Sequence, residues 1–401
     1  MKVAKTMFLQ KELLNTLFGK ISYGGLRVQY WDNEEVNYGE VPHKVKLIFH
    51  KPPLVGFNIS DPTLALGEAY MDRVMDYEGK LEDLLLLLYD NAEFFSPGKI
   101  VTKTWIKISE LVDRTQAKHN IQHHYDLGND FFSLWLDETM SYSCAYFKNS
   151  TDSLQQAQLQ KIDHTLKKLN LKPGETLLDI GSGWGWLIIK AAQEYDVNAM
   201  GITLSEEQYR KSQERITSLD LKDKVHIELI NYLDLDATKY RFDKIVSVGM
   251  LEHVGKENIG RYLDKVQQLL VPGGLSLLHS ITGNRETDIC NTWIANYIFP
   301  GGYVPTLREV IWQLPDHDFH LLHTESLRIH YAMTLDHWYM NFNTQKERIQ
   351  KKFDDRFIRM WELYLQGCAA AFRSTGLDVH QLLFSKGLNN NLPLTYEHIS
   401  L

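Results

Sequence analysis

The residues that can do chemistry sit at the ends of short apolar runs. Leu177–Gly185 reads Leu-Leu-Asp-Ile-Gly-Ser-Gly-Trp-Gly, and a helical pattern of Leu187, Ile188, Ala191 and Ala192 follows at once. Glycine takes positive φ and lets another molecule lie against the backbone. The helix start beyond it offers unpaired N–H groups. A strand, the acid Asp179, the glycines Gly181, Gly183 and Gly185 and then a helix make the nucleotide-side turn of a doubly wound α/β domain. Further polar residues close the later apolar runs: Thr203, Asn231-Tyr232, Glu252-His253 and His279.

The elements that position these groups alternate. Leu154–Leu169 reads as an amphipathic helix before Pro173-Gly174. Thr176–Ile180, Asn198–Thr203, Val225–Ile230, Phe242–Val248 and Leu275–Ser280 read as strands. Trp186–Tyr195, Glu206–Leu219 (N-capped by Ser205) and Ile259–Leu270 (stopped by Pro272-Gly273-Gly274) read as helices between them. This rhythm predicts parallel strands with helical crossovers, and ligands then sit outside the carboxyl ends of the strands. Residues 1–105 differ in texture: a helical Met7–Ile21, strands at Arg27–Trp31, Lys44–Phe49 and Leu54–Ile59, and a helical Leu64–Tyr89. The expected division is a small α+β domain over 1–105, a linker over 106–120 and a catalytic α/β domain over 121–401.

Composition narrows the function. The 401 residues carry a net charge of −8, which disfavours general nucleic-acid binding. Cys144, Cys290 and Cys368 form no Cys-x-x-Cys, so neither a disulfide framework nor a zinc site is expected. His123-His124 are adjacent and point apart on a helix, so no metal site is assigned to them. The leucine run Leu84–Leu88 is too short to span a bilayer, and the N-terminus does not read as a signal peptide. The expectation is a cytoplasmic protein, at most attached to a membrane surface.

The second strand tip bears on the cofactor class. A dehydrogenase places an acid there for the ribose hydroxyls. Here the tip is Gly201-Ile202-Thr203-Leu204-Ser205, and the glycines run Gly-x-Gly-x-Gly. Both points count against NAD and fit S-adenosylmethionine, which has no pyrophosphate to cradle. Its amino acid end can use Asp179 and the backbone of the turn.

Five blocks in order then resemble the cyclopropane-fatty-acyl-phospholipid synthases: His124–Asn129, Tyr142–Phe147, Asp179–Gly185, Glu252–Gly255 and Leu278–Ile281. Mycolic acid cyclopropane synthases share most of them. The resemblance spans residues 121–385, and Leu64–Glu78 also resembles the N-terminal module of the bacterial phospholipid enzymes. It implies a Rossmann-like methyltransferase sheet that binds S-adenosylmethionine through Tyr142, Ser143, Gly181, Gly183, Thr203 and Gln208. Asn231-Tyr232 would lie near the adenine. Two departures are Ser182, where the family commonly has cysteine, and Asn231, where the phospholipid enzymes often have Asp.

The implied reaction adds a methylene across a cis alkene of a phospholipid acyl chain. The alkene attacks the sulfonium methyl, and ring closure needs loss of a proton from that methyl. Such a site excludes water, tolerates a cation and holds a base. The resemblance implies bound bicarbonate as the base, held by Glu252, His279 and Tyr331 with backbone groups at Cys144 and Ile281. Thiolate catalysis by Cys144 is the other reading, but no step needs an enzyme–sulfur bond. Taken singly, each of these residues reads as an ordinary core or surface residue, and their ordered strand-end placement argues for a site. The substrate implies a bilayer surface as partner, on its inner face. Met7–Ile21 and the basic stretch Lys346–Arg359 are candidate contacts. Relatives are often dimeric, which makes a homodimer the expectation of the resemblance. Plain C-methyl transfer and a non-catalytic lipid-binding protein are the alternatives.

Overall fold

Alternating burial along Val45–Phe49, with Val45, Leu47 and Phe49 inside, builds the first of two sheets. The computed structural model describes residues 2–53, 61–95, 127–285 and 291–400. The described residues fall into two units. One unit comprises Met1–Leu111, Asp288–Pro300 and Phe342–Gly376, and the other comprises Val112–Thr287, Gly301–Asn341 and Leu377–Leu401.

In the first unit, β1 (Gly25–Gln29), β2 (Glu35–Gly39), β3 (Val45–Phe49) and β4 (Met75–Glu78) form a sheet of order β2-β1-β3-β4. β1 and β3 are parallel and the other pairs antiparallel. Helices α1 (Lys2–Phe18), α2 (Pro62–Met71) and α3 (Leu81–Asp90) complete its N-terminal part. The single helix expected over Leu64–Tyr89 is corrected to α2, β4 and α3. Positive φ at Arg73 and Gly79 turns the chain on either side of β4, whose Met75 and Glu78 pair with Phe49 and Lys46. The strand expected at Leu54–Ile59 and the linker expected at 106–120 lie outside the described residues.

The helix Asp355–Ser374 also belongs to this first unit, although sequence order assigns it to the second. Its buried Arg359 donates to Tyr70 O (2.6 Å), Met75 O (3.1 Å) and Asp76 Oδ1 (2.9 Å) and stands 3.8 Å over the Tyr70 ring. The basic stretch Lys346–Arg359 is not one continuous amphipathic helix. A short helix Lys346–Ile349 ends there, and Asp354 caps a new one by accepting from Phe357 N at 2.8 Å. Three of its cations are used inside the unit, Lys346 with Glu362, Arg356 with Asp72 and Arg359 with Asp76.

The second unit holds a seven-stranded sheet of order β10-β11-β9-β8-β5-β6-β7. Its strands are β5 (Thr176–Ile180), β6 (Asn198–Thr203), β7 (Val225–Leu229), β8 (Phe242–Val248), β9 (Leu270–Gly283), β10 (Phe319–Ser326) and β11 (Leu377–Lys386). β5 to β9 run parallel to one another, while β11 runs antiparallel to both β9 and β10. Helices α4 (Leu154–Lys168), α5 (Trp186–Tyr195), α6 (Glu206–Ser218), α7 (Ile259–Leu269) and α8 (Arg328–Thr344) accompany it. The doubly wound α/β architecture expected from the rhythm is present. β9 starts earlier than expected, because Pro272-Gly273-Gly274 lies inside the strand. The register jumps there from Phe242↔Leu270 to Lys244↔Leu275, and a Cβ on Gly274 would stand 2.8 Å from Asp243 O.

Candidate functional site

The order reverses at β5, where the chain leaves through β6 and β7 and returns beside it as β8, and this is where such sheets open a crevice. The pairings Ile180↔Ile202, Thr203↔Leu229, Ile180↔Ser247 and Val248↔His279 bring the carboxyl ends of five strands level. The strand-end positions Gly181, Thr203 and His279 therefore lie along one edge of the sheet, and Glu252 follows β8 there.

At the glycine turn the N–H groups of Gly181 and Ser182 donate to Ile202 O at 3.1 and 2.9 Å. Gly181 and Gly183 take φ of +84° and +55°. Among the described residues nothing lies within 4 Å of where a Cβ on Gly183 would sit, so they leave the turn open at that point. Asp179 just before it is buried, and among the described residues no donor reaches its Oδ1. Burial pushes its carboxyl up to about 7. On β6 and α6, Thr203 Oγ1 donates to Gln208 Oε1 at 2.7 Å, so the amide nitrogen is what Gln208 can offer a ligand. Asn231 and Tyr232 open a short turn in which Asn231 Oδ1 accepts from Leu233 N at 3.0 Å.

Tyr142 stands among rings, its centroid 5.4 Å from Phe132, 5.4 Å from Trp135 and 5.1 Å from Trp338. Trp338 on α8 is fully buried and meets Tyr331 edge-on at 6.0 Å. One indole thus joins the tyrosine assigned to the cofactor and the tyrosine assigned to the anion. Ser143 Oγ accepts from Lys161 Nζ at 3.0 Å.

Beyond β8, Glu252 Oε1 accepts from Ile281 N at 2.6 Å, which ties two of the expected residues together. That N–H is satisfied by Glu252 itself. Glu252 Oε2 is buried, with no donor among the described residues, and burial raises its carboxyl above the usual range. His279 is buried, its Nδ1 lies 3.1 Å from Gln381 Nε2, and burial holds its imidazole well below the usual histidine range. Cys144 is buried, its thiol 3.3 Å from Ala145 O, and burial pushes that thiol up. Its environment disfavours the thiolate that nucleophilic catalysis would need. His123 and His124 lie outside the described residues.

Sequence reasoning missed Lys161, Lys168, Gln381 and Trp338. A signal for the two lysines was present: Gln158, Lys161, Thr165 and Lys168 form a polar stripe at helical spacing on the buried face of α4. Burial draws the Lys161 ammonium down to about 8, against Asp137, Cys144 and Asp179 nearby.

Comparison with known proteins decides the family. Residues 112–382 match the family profile described as mycolic acid cyclopropane synthetase. Residues 13–99 match a profile described only as a domain of unknown function. The chain is 43% identical over 338 residues to the cyclopropane-fatty-acyl-phospholipid synthase of Escherichia coli, covering 83% of this chain and 86% of that one. The chain belongs to the cyclopropane synthase family. A second relative within reach of it is a tuberculostearic acid methyltransferase of Mycobacterium tuberculosis, 36% identical, covering 89% of this chain and 86% of that one. Among solved structures, a mycolic acid cyclopropane synthase complexed with SAH and CTAB superposes with a TM-score of 0.64 at 36% identity. It covers 69% of this chain and 100% of its own.

As a member of this family the chain is an S-adenosylmethionine-dependent transferase. The site fits the cofactor: the open position at Gly183 leaves room on the turn, and the orphaned Asp179 Oδ1 suits a cationic amino group. It also fits a small oxyanion, because a neutral imidazole donates one hydrogen bond and a carboxyl that burial raises above the usual range can donate another once it takes up a proton.

Proposed function

We propose that this chain moves a one-carbon unit from S-adenosylmethionine to cis double bonds of unsaturated phospholipid acyl chains and closes it into a cyclopropane ring, with bicarbonate bound at Glu252, His279 and Tyr331. The observation that carries the reading is Glu252. Its Oε1 is anchored to Ile281 N, its Oε2 is buried with no donor among the described residues, and burial raises its carboxyl above the usual range. A carboxylic acid so held is a donor for an oxyanion.

When bound, S-adenosylmethionine supplies a methyl on positive sulfur, and bicarbonate supplies the base. The chain's residues do the remaining work. The glycine turn and Gln208 receive the cofactor, and Asp179 compensates the charge of its amino group. Tyr142, Trp338 and Tyr331 put aromatic surface beside the reacting carbons, which excludes water and tolerates positive charge. Glu252, His279 and Tyr331 donate to the anion that takes the proton. Cys144 and Ile281 contribute backbone groups at its rim, Ile281 by holding Glu252 in place.

Two substitutions test these roles. Glu252→Ala and Tyr331→Phe should each slow turnover by roughly tenfold to a hundredfold. Calorimetry should find their cofactor affinity largely intact. Unchanged turnover in both variants would remove these residues from the anion site. The similarity to a tuberculostearic acid methyltransferase favours one second reading, transfer of a plain methyl to the same class of chain.

Among the described residues no helix is long and apolar enough to cross a membrane. The substrate chains lie inside a bilayer, so the reading makes this a peripheral protein on the inner face. Phe8, Leu9 and Leu13 on α1 are 64%, 53% and 43% exposed, and they supply apolar side chains for that contact. The basic stretch is the weaker candidate, because its ion pairs are internal to the first unit.

A further inference from the structure

The carboxamide of Gln381 faces three polar neighbours deep inside the second unit. Gln381 on β11 is fully buried and stands opposite His279 of β9 in the sheet register. Its Oε1 lies 2.8 Å from Lys168 Nζ. Its Nε2 lies 3.3 Å from Thr165 Oγ1 and 3.1 Å from His279 Nδ1.

The chemistry of these neighbours fixes the amide. A lysine ammonium only donates, so the atom facing Lys168 must be the amide oxygen. The Thr165 hydroxyl gives its single hydrogen to Lys161 O at 2.8 Å, so toward Gln381 it can only accept. Both neighbours demand the same orientation, and a flipped amide would set donors against donors in a buried place. Lys168 is held in turn by Glu325, which also binds His164 Nε2 at 2.7 Å. Burial opposes ionisation of Glu325, yet His164 and Lys168 hold its carboxyl down to about 2, so the carboxylate end of the chain of contacts stays charged.

We propose that Gln381 is a positioning residue that locks His279 in the tautomer carrying its proton on Nε2, with Lys168 and Thr165 holding the amide. The Nδ1 atom receives the Gln381 hydrogen and is therefore unprotonated. A neutral ring then carries its hydrogen on Nε2 and offers a fixed donor. With one nitrogen occupied by Gln381 and the other by its own hydrogen, His279 has no site for the reaction's proton. Proton removal falls to another group, in keeping with a bound base. The inference rests on reading Glu252, His279 and Tyr331 as the anion site.

The test uses the full chain labelled with 15N-histidine and a long-range 1H–15N spectrum, which separates Nε2–H from Nδ1–H rings. His279 is assigned by the signals lost in His279→Asn. The free wild-type protein should show the Nε2–H pattern, and this measurement needs no variant to fold. In Gln381→Glu the new carboxylate accepts from Lys168 and from the ring, so the proton should move to Nδ1. Turnover should then fall about a hundredfold while KM for S-adenosylmethionine stays within about twofold. Gln381→Met, which offers no hydrogen to the ring, should give a mixture of tautomers and a smaller loss. An Nδ1–H pattern in the wild type, or an unmoved proton in Gln381→Glu, overturns the lock. If the wild type shows Nε2–H but His279→Asn turns over normally, the lock stands and the anion site at His279 falls.

Discussion

Asp179 is the residue whose proposed role toward the cofactor has the clearest pH signature. Its folded carboxyl titrates near 7, raised by burial, while an unfolded aspartate titrates near 3.8. The folded state therefore holds a proton that the unfolded chain has lost. This group's contribution to stability is complete below the unfolded value and disappears as pH rises through about 7. A cationic amino group on the bound cofactor reverses the preference and expels that proton. Cofactor affinity should fall by up to about tenfold per pH unit below the Asp179 value and level off above it. Asp179→Asn should flatten that dependence and weaken binding by about 2 kcal/mol, measured by calorimetry across pH. Affinity independent of pH in the wild type would separate Asp179 from the amino group. Asp179, Glu252 and His279 were legible in the sequence because each follows an apolar run at a strand end. Gln381 was not, since it reaches His279 from 102 positions away along a strand with no motif of its own.

At the scale of elements, local pattern and tertiary pairing disagree in identifiable places. The rhythm of strands and helices from Thr176 to Leu269 matches the structure closely, because each element carries its own period and its own cap. Met75–Glu78 does not, since it is a strand only through pairing with β3. The helix Asp355–Ser374 was assigned with the second unit, yet its inner face completes the core of the first. Arg359 is the test. It holds Tyr70 O, Met75 O and Asp76 at once and stacks on the Tyr70 ring, so Arg359→Ala removes three hydrogen bonds and that packing and should destabilise the first unit by about 3 kcal/mol. Urea unfolding followed by fluorescence of the single-unit residue Trp361 against a Trp361→Phe control would measure it. A loss below about 0.5 kcal/mol would mean that the helix is held by its apolar face alone.

For the whole molecule, division along the sequence and division in space are different things. A truncation that keeps only residues 110–401 would remove α2 and α3, against which Asp355–Ser374 packs, so it cannot isolate membrane binding from folding. Substitution of exposed side chains is the cleaner route. Phe8→Ser, Leu9→Ser and Leu13→Ser together should reduce co-sedimentation with unsaturated phospholipid vesicles by roughly tenfold or more, given the apolar area they expose. Turnover of detergent-dispersed lipid should be unchanged, and full vesicle binding by the triple variant would place the contact elsewhere. The central claim is that one crevice both delivers a carbon to an alkene and removes a proton from that carbon. Its most direct measurement is NMR of the lipid product after incubation of unsaturated phospholipid vesicles with S-adenosylmethionine labelled with 13C at the methyl, with and without added bicarbonate. The expected result is label in a cyclopropane ring methylene, formed faster when bicarbonate is present. Label in a methyl branch or an exocyclic methylene, at a rate indifferent to bicarbonate, would contradict it.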